Sequence, residues 1–503
     1  MGALAERAPH LIAAFYLLAA VALFFSNPPG ASPDETAHYL RAMGVGRGQL
    51  VLERPDQKPV VPPELTRQVT WMWMQGGVVS IPARLSTAPF ECWAHVSFVG
   101  SCRQSPPPTD RPSEFSTYVG AYPPYPYLVS GALMRLANDS TTALQLGRLG
   151  IMLISLPLLA AAAFAAYQRP AGRWLLGLLV TVSPMVLINA ASLSSSGVEI
   201  SAAVCFFTCL LRLVRGDQSA QAAGRPAPWV WVAAGVSGLV LAVSRDLGPA
   251  WVLLHLGLVG VYAGYGRVKA AWEARSRAAV VAAGLLALSL AIGLVWRMTE
   301  SVSPDLSRFR VPDIDGELAL GFLRQAVGVF GPLDAFMPDW AYLVWGVISA
   351  LLVGSALLAG SWNERLALLF AVVTAVVVTY ALEGAQNIYG FGAQSRHVLP
   401  AVVCIPLLAG EVVARRGRPR WLLGRAVAPV FAVAAAAVHL TAWHTLGRRF
   451  AVGSEGPPLF FWDPLWSPPG GWLLWAAVTS LACAILVLPF VAGSRKETRH
   501  RFG

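Results

Sequence analysis

The sequence predicts an all-α protein that crosses a membrane about twelve times, and three observations lead to that class. Of 503 residues, 55% are hydrophobic and only 13% charged, about half the charged share of an ordinary soluble domain. Twelve apolar runs approach the length needed to cross a hydrocarbon core of ~30 Å. They fall near residues 8–26, 144–167, 173–193, 198–214, 228–244, 247–265, 278–297, 341–360, 366–382, 398–414, 426–445 and 471–491. The basic residues, finally, collect in alternate short loops, which puts both termini on the cytoplasmic side.

Arg7 precedes the first run, and Phe24 to Pro29 offers no small-x-small cleavage site, so that run reads as a retained anchor rather than a signal peptide. The inner loops then carry Arg169 and Arg173; Arg212, Arg215 and Arg225; Arg267, Lys269, Arg275 and Arg277; Arg365; Arg415, Arg416, Arg418, Arg420 and Arg425; and the tail Arg495, Lys496, Arg499 and Arg501. The formal charge of +11 is almost wholly arginine, since lysine occurs only at Lys58, Lys269 and Lys496. These arginines orient the chain and form no solvated basic face, which excludes nucleic acid as a partner. The resulting division is residues 1–26, a first span; 27–142, a long periplasmic loop or lid; 143–297, spans two to seven; 298–340, a second periplasmic loop; and 341–503, spans eight to twelve with a cytoplasmic tail.

The long first loop opens with Ser32-Pro33-Asp34-Glu35-Thr36-Ala37-His38. Serine three residues before glutamate, with proline between, is capping-box spacing and predicts a helix from Ser32 to about Gly44. Helical spacing then brings Asp34, Glu35, His38 and Arg41 towards one face. Carboxylates are also favoured in any first helical turn, and Glu35 has a capping role there, so Asp34 is the first choice for a general base. Asp34, Glu35 and His38 together are candidate ligands for magnesium or manganese, although their spacing matches no established metal motif. Farther along, Trp71-Met72-Trp73-Met74 suits either a membrane interface or a loop core. Cys92 and Cys102 lie on the oxidising side and are expected to form a disulfide. Cys205, Cys209, Cys404 and Cys483 lie in apolar runs and read as buried hydrophobes.

Tyr118 to Tyr127 leads into a short helical pattern that ends at Leu136, too short to span, which predicts a surface-lying or re-entrant helix. Tyr122 and Tyr125 are candidates for stacking on a sugar or holding a headgroup, with interface anchoring as the plainer alternative. Loop 383–397 ends in Gln394-Ser395-Arg396-His397 at the start of an apolar helix, where a guanidinium beside unpaired backbone N–H groups suits a phosphate. Arg245, in the turn between spans five and six, is a second phosphate candidate. Inside the spans ionisable residues are scarce: Arg148 and Glu199 sit near outer ends, and His255 and His439 read as core residues. An ion-coupled transporter normally needs carboxylates near the midplane. A site confined to the outer surface points instead to chemistry on a lipid-borne substrate, with Asp34 as base for an acceptor hydroxyl and Arg396 as cation for a phosphate leaving group.

These residues resemble a known family. Pro33-Asp34-Glu35-Thr36-Ala37-His38 after a first span is similar to the P-D-E-x-x-H element of the DUF2142 family of predicted bacterial membrane proteins, which is grouped with the GT-C glycosyltransferases. Tyr122 to Tyr127, Phe330-Gly331-Pro332-Leu333-Asp334 with Pro338, and Gln394-Ser395-Arg396 followed by Leu399-Pro400 resemble the later elements of that family in order and spacing. The chain departs from the pattern twice. Ser194-Ser195-Ser196-Gly197 stands where the family often carries Asn-Pro-Asp, leaving Glu199 as the nearest carboxylate, and Gln394-Ser395-Arg396-His397 replaces a Gln-Gly-Arg-Tyr form. The resemblance implies a GT-C-like bundle in the bacterial inner membrane. It also implies an inverting glycosyltransferase with an extracytoplasmic site, taking sugar from a polyprenyl-phosphate donor to a glycan or lipid acceptor of the envelope. In that scheme Glu35 and His38 orient the acceptor or hold a metal, while Arg396, Gln394, His397 and Arg245 bind the donor. The alternative role on the same architecture is a flippase or non-catalytic partner for lipid-linked glycans.

Overall fold

A computed structural model describes residues 6–90, 105–168, 171–215, 227–273, 276–313, 315–417 and 427–496. Helix α1 (Ala8–Ser26) starts with proline in its first turn and packs inside the bundle. The segment after it is ordered: α2 (Glu35–Gly46), α3 (Thr66–Met74), and strands β1 (Gly77–Pro82) and β2 (Pro112–Thr117), antiparallel from Gly77↔Thr117 to Pro82↔Pro112. Val79 and Ile81 of β1 point inward while Ser80 is exposed, the alternation of a half-buried strand. The Thr117 hydroxyl donates to Ala37 O at 2.8 Å and ties the sheet to α2.

Helix α4 (Leu128–Met134) is too short to span and crosses α2 where Gly46 meets Gly131; a Cβ at Gly46 would run into the Gly131 carbonyl. Leu128 and Leu136 remain exposed. Helix α5 (Ser140–Ala166) is capped by Asp139, which accepts from Thr142 N at 2.8 Å. The apolar run 173–193 is broken into α6 (Ala171–Trp174), α7 (Leu176–Thr181) and α8 (Pro184–Ala190), with Pro184 opening the last. Then come α9 (Ser195–Arg215), α10 (Pro228–Ser244), α11 (Gly248–Glu273), kinked at Gly264, and α12 (Arg277–Thr299). Helix α13 (Gly316–Val327) leads to a hairpin of β3 (Val329–Phe330) and β4 (Ala335–Phe336). The remainder is α14 (Asp339–Ala359), α15 (Trp362–Asn387), α16 (Leu399–Val402), α17 (Cys404–Arg416), α18 (Val427–Ala451) and α19 (Gly471–Lys496).

Among the described residues, eight helices are long and apolar enough to cross a membrane: α1, α5, α9, α12, α14, α15, α18 and α19. The other four expected spans are shorter or interrupted. At 17 residues α10 covers about 25 Å. The broken runs 173–193 and 398–414 cross each other where Gly177 meets Gly410, so close that a Cβ on either would strike the other backbone. The bundle nevertheless keeps its alternation. Arg148, near the start of α5, bonds carbonyls at the end of α1, whereas Arg215, at the far end of α9, pairs with Glu411 near the end of α17. Charged residues therefore gather at the two ends.

Helix α2 begins at Glu35 rather than inside a Ser32 capping box. The Ser32 hydroxyl is taken by Asn27 Nδ2 and Ser192 Oγ, each at 2.7 Å, and the Glu35 carboxylate is turned away towards Arg148. Asp34 precedes the helix in the left-handed region, with φ 61° and no side-chain cap. Trp71 and Trp73 belong to loop packing: Trp71 stacks on Tyr389 at 4.3 Å and Trp73 donates to Pro55 O. His255 and His439 are buried against the carbonyls of Pro400 and Val182. Cys205, Cys209, Cys404 and Cys483 are buried free thiols. Cys92 and Cys102 lie outside the described residues.

Candidate active site

Four distant stretches meet around the start of α2. Asp34 Oδ2 forms an ion pair with Arg396 Nη2, and Arg396 Nη1 donates to Pro33 O at 3.1 Å. Asp34 Oδ1 accepts from the Tyr118 hydroxyl at 2.8 Å. The carboxylate keeps about a third of its surface open (33%), while the guanidinium beside it is buried (6%). Burial pushes the Asp34 carboxyl up, but Arg396, His38 and the Tyr118 hydroxyl outweigh it and hold it below the usual aspartate range. Burial and the adjacent carboxylate push the Tyr118 phenol up, so it stays a neutral donor. A non-glycine residue at φ 61° is strained, and here the strain sits on the residue that offers its oxygens to the opening.

One helical turn on, His38 Nδ1 lies 2.6 Å from the Tyr127 hydroxyl, with the Tyr122 ring 6.0 Å away. Burial, with Arg396 and Arg245 nearby, drives His38 down to about 3 against the pull of Asp34. The imidazole is therefore neutral at physiological pH. Arg41 turns elsewhere: its guanidinium donates to the carbonyls of Gln49, Leu50 and Tyr122 and binds the loop to the helix.

Glu35 is buried and fully engaged. It accepts from Arg148 Nε at 2.7 Å and Nη2 at 2.6 Å, and from the backbone N–H of Gly30 and Leu193 at 3.0 and 2.9 Å. Arg148 in turn donates to the carbonyls of Phe24, Asn27 and Pro28. Glu35 thus points away from Asp34 and His38, and those three do not converge as ligands for a divalent cation. Among the described residues no group of three His, Cys, Asp or Glu side chains is arranged to hold one.

Two cavities lie near the pair, one reached by Arg396 and one by its neighbour His397. The first, about 30 Å³, is lined by Pro33, Arg396, Gln394, Asn189, Gln325 and apolar side chains including Phe330 and Leu333. Arg396 Nε and Gln394 Oε1 are buried beside it without hydrogen-bond partners among the described residues. The second, about 200 Å³, is lined by Tyr122, Arg245, His397, Glu199 and two tryptophans among others. Arg245 donates to Ser196 Oγ at 3.0 Å and to the Tyr122 hydroxyl at 3.1 Å, with its guanidinium 5.1 Å from the Tyr122 ring centre. His397 lies 3.3 Å from Gln386 Nε2; burial, with Arg245 and Arg396 beside it, keeps it well below the usual histidine range. Tyr125 packs edge-on to Trp296, at 6.2 Å, and reaches neither cavity.

Sequence reasoning singled out neither Tyr118 nor Tyr127 individually, and it left Arg148 and Arg449 without partners. Arg449, late in α18, is buried and grips both oxygens of Asp334 at 2.9 and 3.1 Å, closing the β3–β4 turn. An arginine one turn from the end of an apolar helix was the available signal, but its partner lies over a hundred residues away.

Among solved structures, ArnT from Cupriavidus metallidurans, in a crystal structure bound to undecaprenyl phosphate, is similar over 98% of this chain and 77% of its own, at 14% identity and a TM-score of 0.44. No curated protein matches this chain. A model of the family DUF2142, described as a predicted membrane protein, matches residues 17–405, and the chain belongs to that family.

Proposed function

We propose that this protein is an inverting GT-C-type glycosyltransferase of the bacterial inner membrane that moves a sugar from a polyprenyl-phosphate donor to an envelope glycan or lipid on the extracytoplasmic face. The observation that carries this reading is the partly open Asp34 carboxylate paired with Arg396, whose guanidinium side chain lines a cavity. A carboxylate able to take a hydroxyl proton and a cation able to hold a phosphate stand in contact, as displacement at an anomeric carbon requires. The side of the membrane follows from the arginine distribution, which assigns the Arg215 and Arg416 end to the cytoplasm.

In the resting state Arg396 is bound to Asp34. A donor phosphate that takes over the guanidinium leaves the carboxylate without its strongest partner, so Asp34 becomes more basic as the donor arrives. The acceptor hydroxyl gives its proton to Asp34 while its oxygen bonds to the anomeric carbon. The bond from that carbon to the phosphate oxygen breaks, and polyprenyl phosphate leaves with both electrons, its charge held by Arg396 and Gln394. Tyr118, as a neutral donor, keeps the Asp34 carboxylate in place. Neutral His38, fixed by Tyr127, orients the acceptor, and Glu35 acts at a distance by locking the start of α2 onto Arg148.

The test is transfer from a radiolabelled polyprenyl-phosphate sugar by purified protein in liposomes. Asp34→Asn is expected to lower turnover by at least about a hundredfold while leaving folding intact, since asparagine tolerates the left-handed backbone. Unchanged turnover in that variant overturns the assignment of the base. Lipid translocation without transfer in the wild type supports a flippase instead.

A further inference from the structure

The wider cavity has a chemistry the proposed reaction leaves unused. It is walled by Trp71 from α3 and Trp251 from α11, with Glu199, Asp246, Arg245 and Arg297 between them. Glu199 is buried, and among the described residues its one hydrogen bond comes from Trp251 Nε1, at 3.1 Å. A carboxylate aimed at a cavity with most of its acceptor capacity unspent is costly unless a ligand supplies donors. Two acids, Glu199 and Asp246, share the wall with the guanidiniums of Arg245 and Arg297. Acceptors and donors mixed between aromatic faces suit a ring carrying many hydroxyls.

The cavity also lies where such a ring is needed. Arg396 and His397 are consecutive, yet the first is bound to Asp34 while the second lines this wall. Tyr122 lines it as well, 6.0 Å from the His38 ring. We propose that this cavity is the carbohydrate subsite, that Glu199 is its specificity-determining hydroxyl acceptor, and that Trp71 is its stacking face. This rests on the glycosyltransferase reading above and adds the location of the sugar.

The experiment is saturation-transfer NMR on the full chain in nanodiscs, with methyl glycosides of neutral hexoses and pentoses as probes and glycerol 3-phosphate as an anionic control. At least one glycoside is expected to receive saturation and glycerol 3-phosphate to receive none. Glu199→Gln should weaken binding about tenfold. Trp71→Ala should abolish the signal and Trp71→Phe retain it; because Trp71 also stacks on Tyr389, an unchanged thermal unfolding midpoint in Trp71→Ala is what separates ligand stacking from a folding defect. Absence of saturation in every glycoside, equal signals in wild type and Trp71→Ala, or preference for the phosphate overturns the proposal. Glycoside binding that obeys these rules in a protein with no transferase activity would leave the subsite standing and remove the reaction. Loss of transfer in Asp34→Asn with unchanged glycoside binding in Glu199→Gln would do the reverse.

Discussion

At the scale of single residues, Asp34 ties function to stability. Its backbone at φ 61° costs of order 1 kcal/mol in a non-glycine residue. Asp34→Gly should relieve that strain but leave the buried Arg396 guanidinium without its partner. Thermal unfolding of that variant is expected to show a net loss of about 2–4 kcal/mol while transfer is lost. His38 makes a pH prediction. Folding lowers its pKa from the ordinary 6.5 to about 3, so within that window the unfolded chain binds the extra proton and stability falls as pH falls. Asp34 adds its own loss only below the ordinary aspartate value of 3.8, because its folded pKa is lowered. Unfolding measured from roughly pH 7 to 4 should show the first effect, and His38→Gln should reduce it by His38's share, leaving the part of the same sign that His397 contributes.

Whole elements are held by buried charge. The contact between α2 and α5 rests on Glu35 and Arg148, which together satisfy three carbonyls and two backbone N–H groups. Removing one partner leaves an uncompensated buried charge, so Glu35→Ala or Arg148→Met should destabilise by about 3–5 kcal/mol. The double replacement should not restore stability, because those backbone groups stay unpaired; thermal unfolding of the three variants in detergent decides this. The crossing of α2 and α4 depends on absent side chains. Gly46→Ala should cost about 1–3 kcal/mol by forcing the helices apart, and with them Tyr127 from His38.

For the whole molecule, the claim to test is orientation. Charged side chains collect at both ends of the bundle, with Asp34, Arg396 and Arg245 at one and Arg215, Glu411 and Arg416 at the other. With Cys92 and Cys102 replaced by serine, the remaining cysteines are buried. In that background a membrane-impermeant thiol reagent should label Glu64→Cys in intact cells, and Glu273→Cys only after the membrane is opened; the reverse pattern would place the site in the cytoplasm.

The sequence by itself determined the helical membrane class, because apolar length and charge spacing are local and the bilayer imposes them on any chain. It also named Asp34, Arg396, Gln394 and Arg245 as candidates, of which Asp34 and Arg396 meet in an ion pair. Tertiary structure alone decided their partners. Glu35 left its expected capping role because Arg148, more than a hundred residues away, offered a better one. Asp34 took Arg396 and Tyr118, and two runs that read as continuous spans broke around prolines and a glycine crossing. Hydrogen bonds and ion pairs between distant segments depend on which helices pack side by side, and apolar periodicity carries no record of that choice.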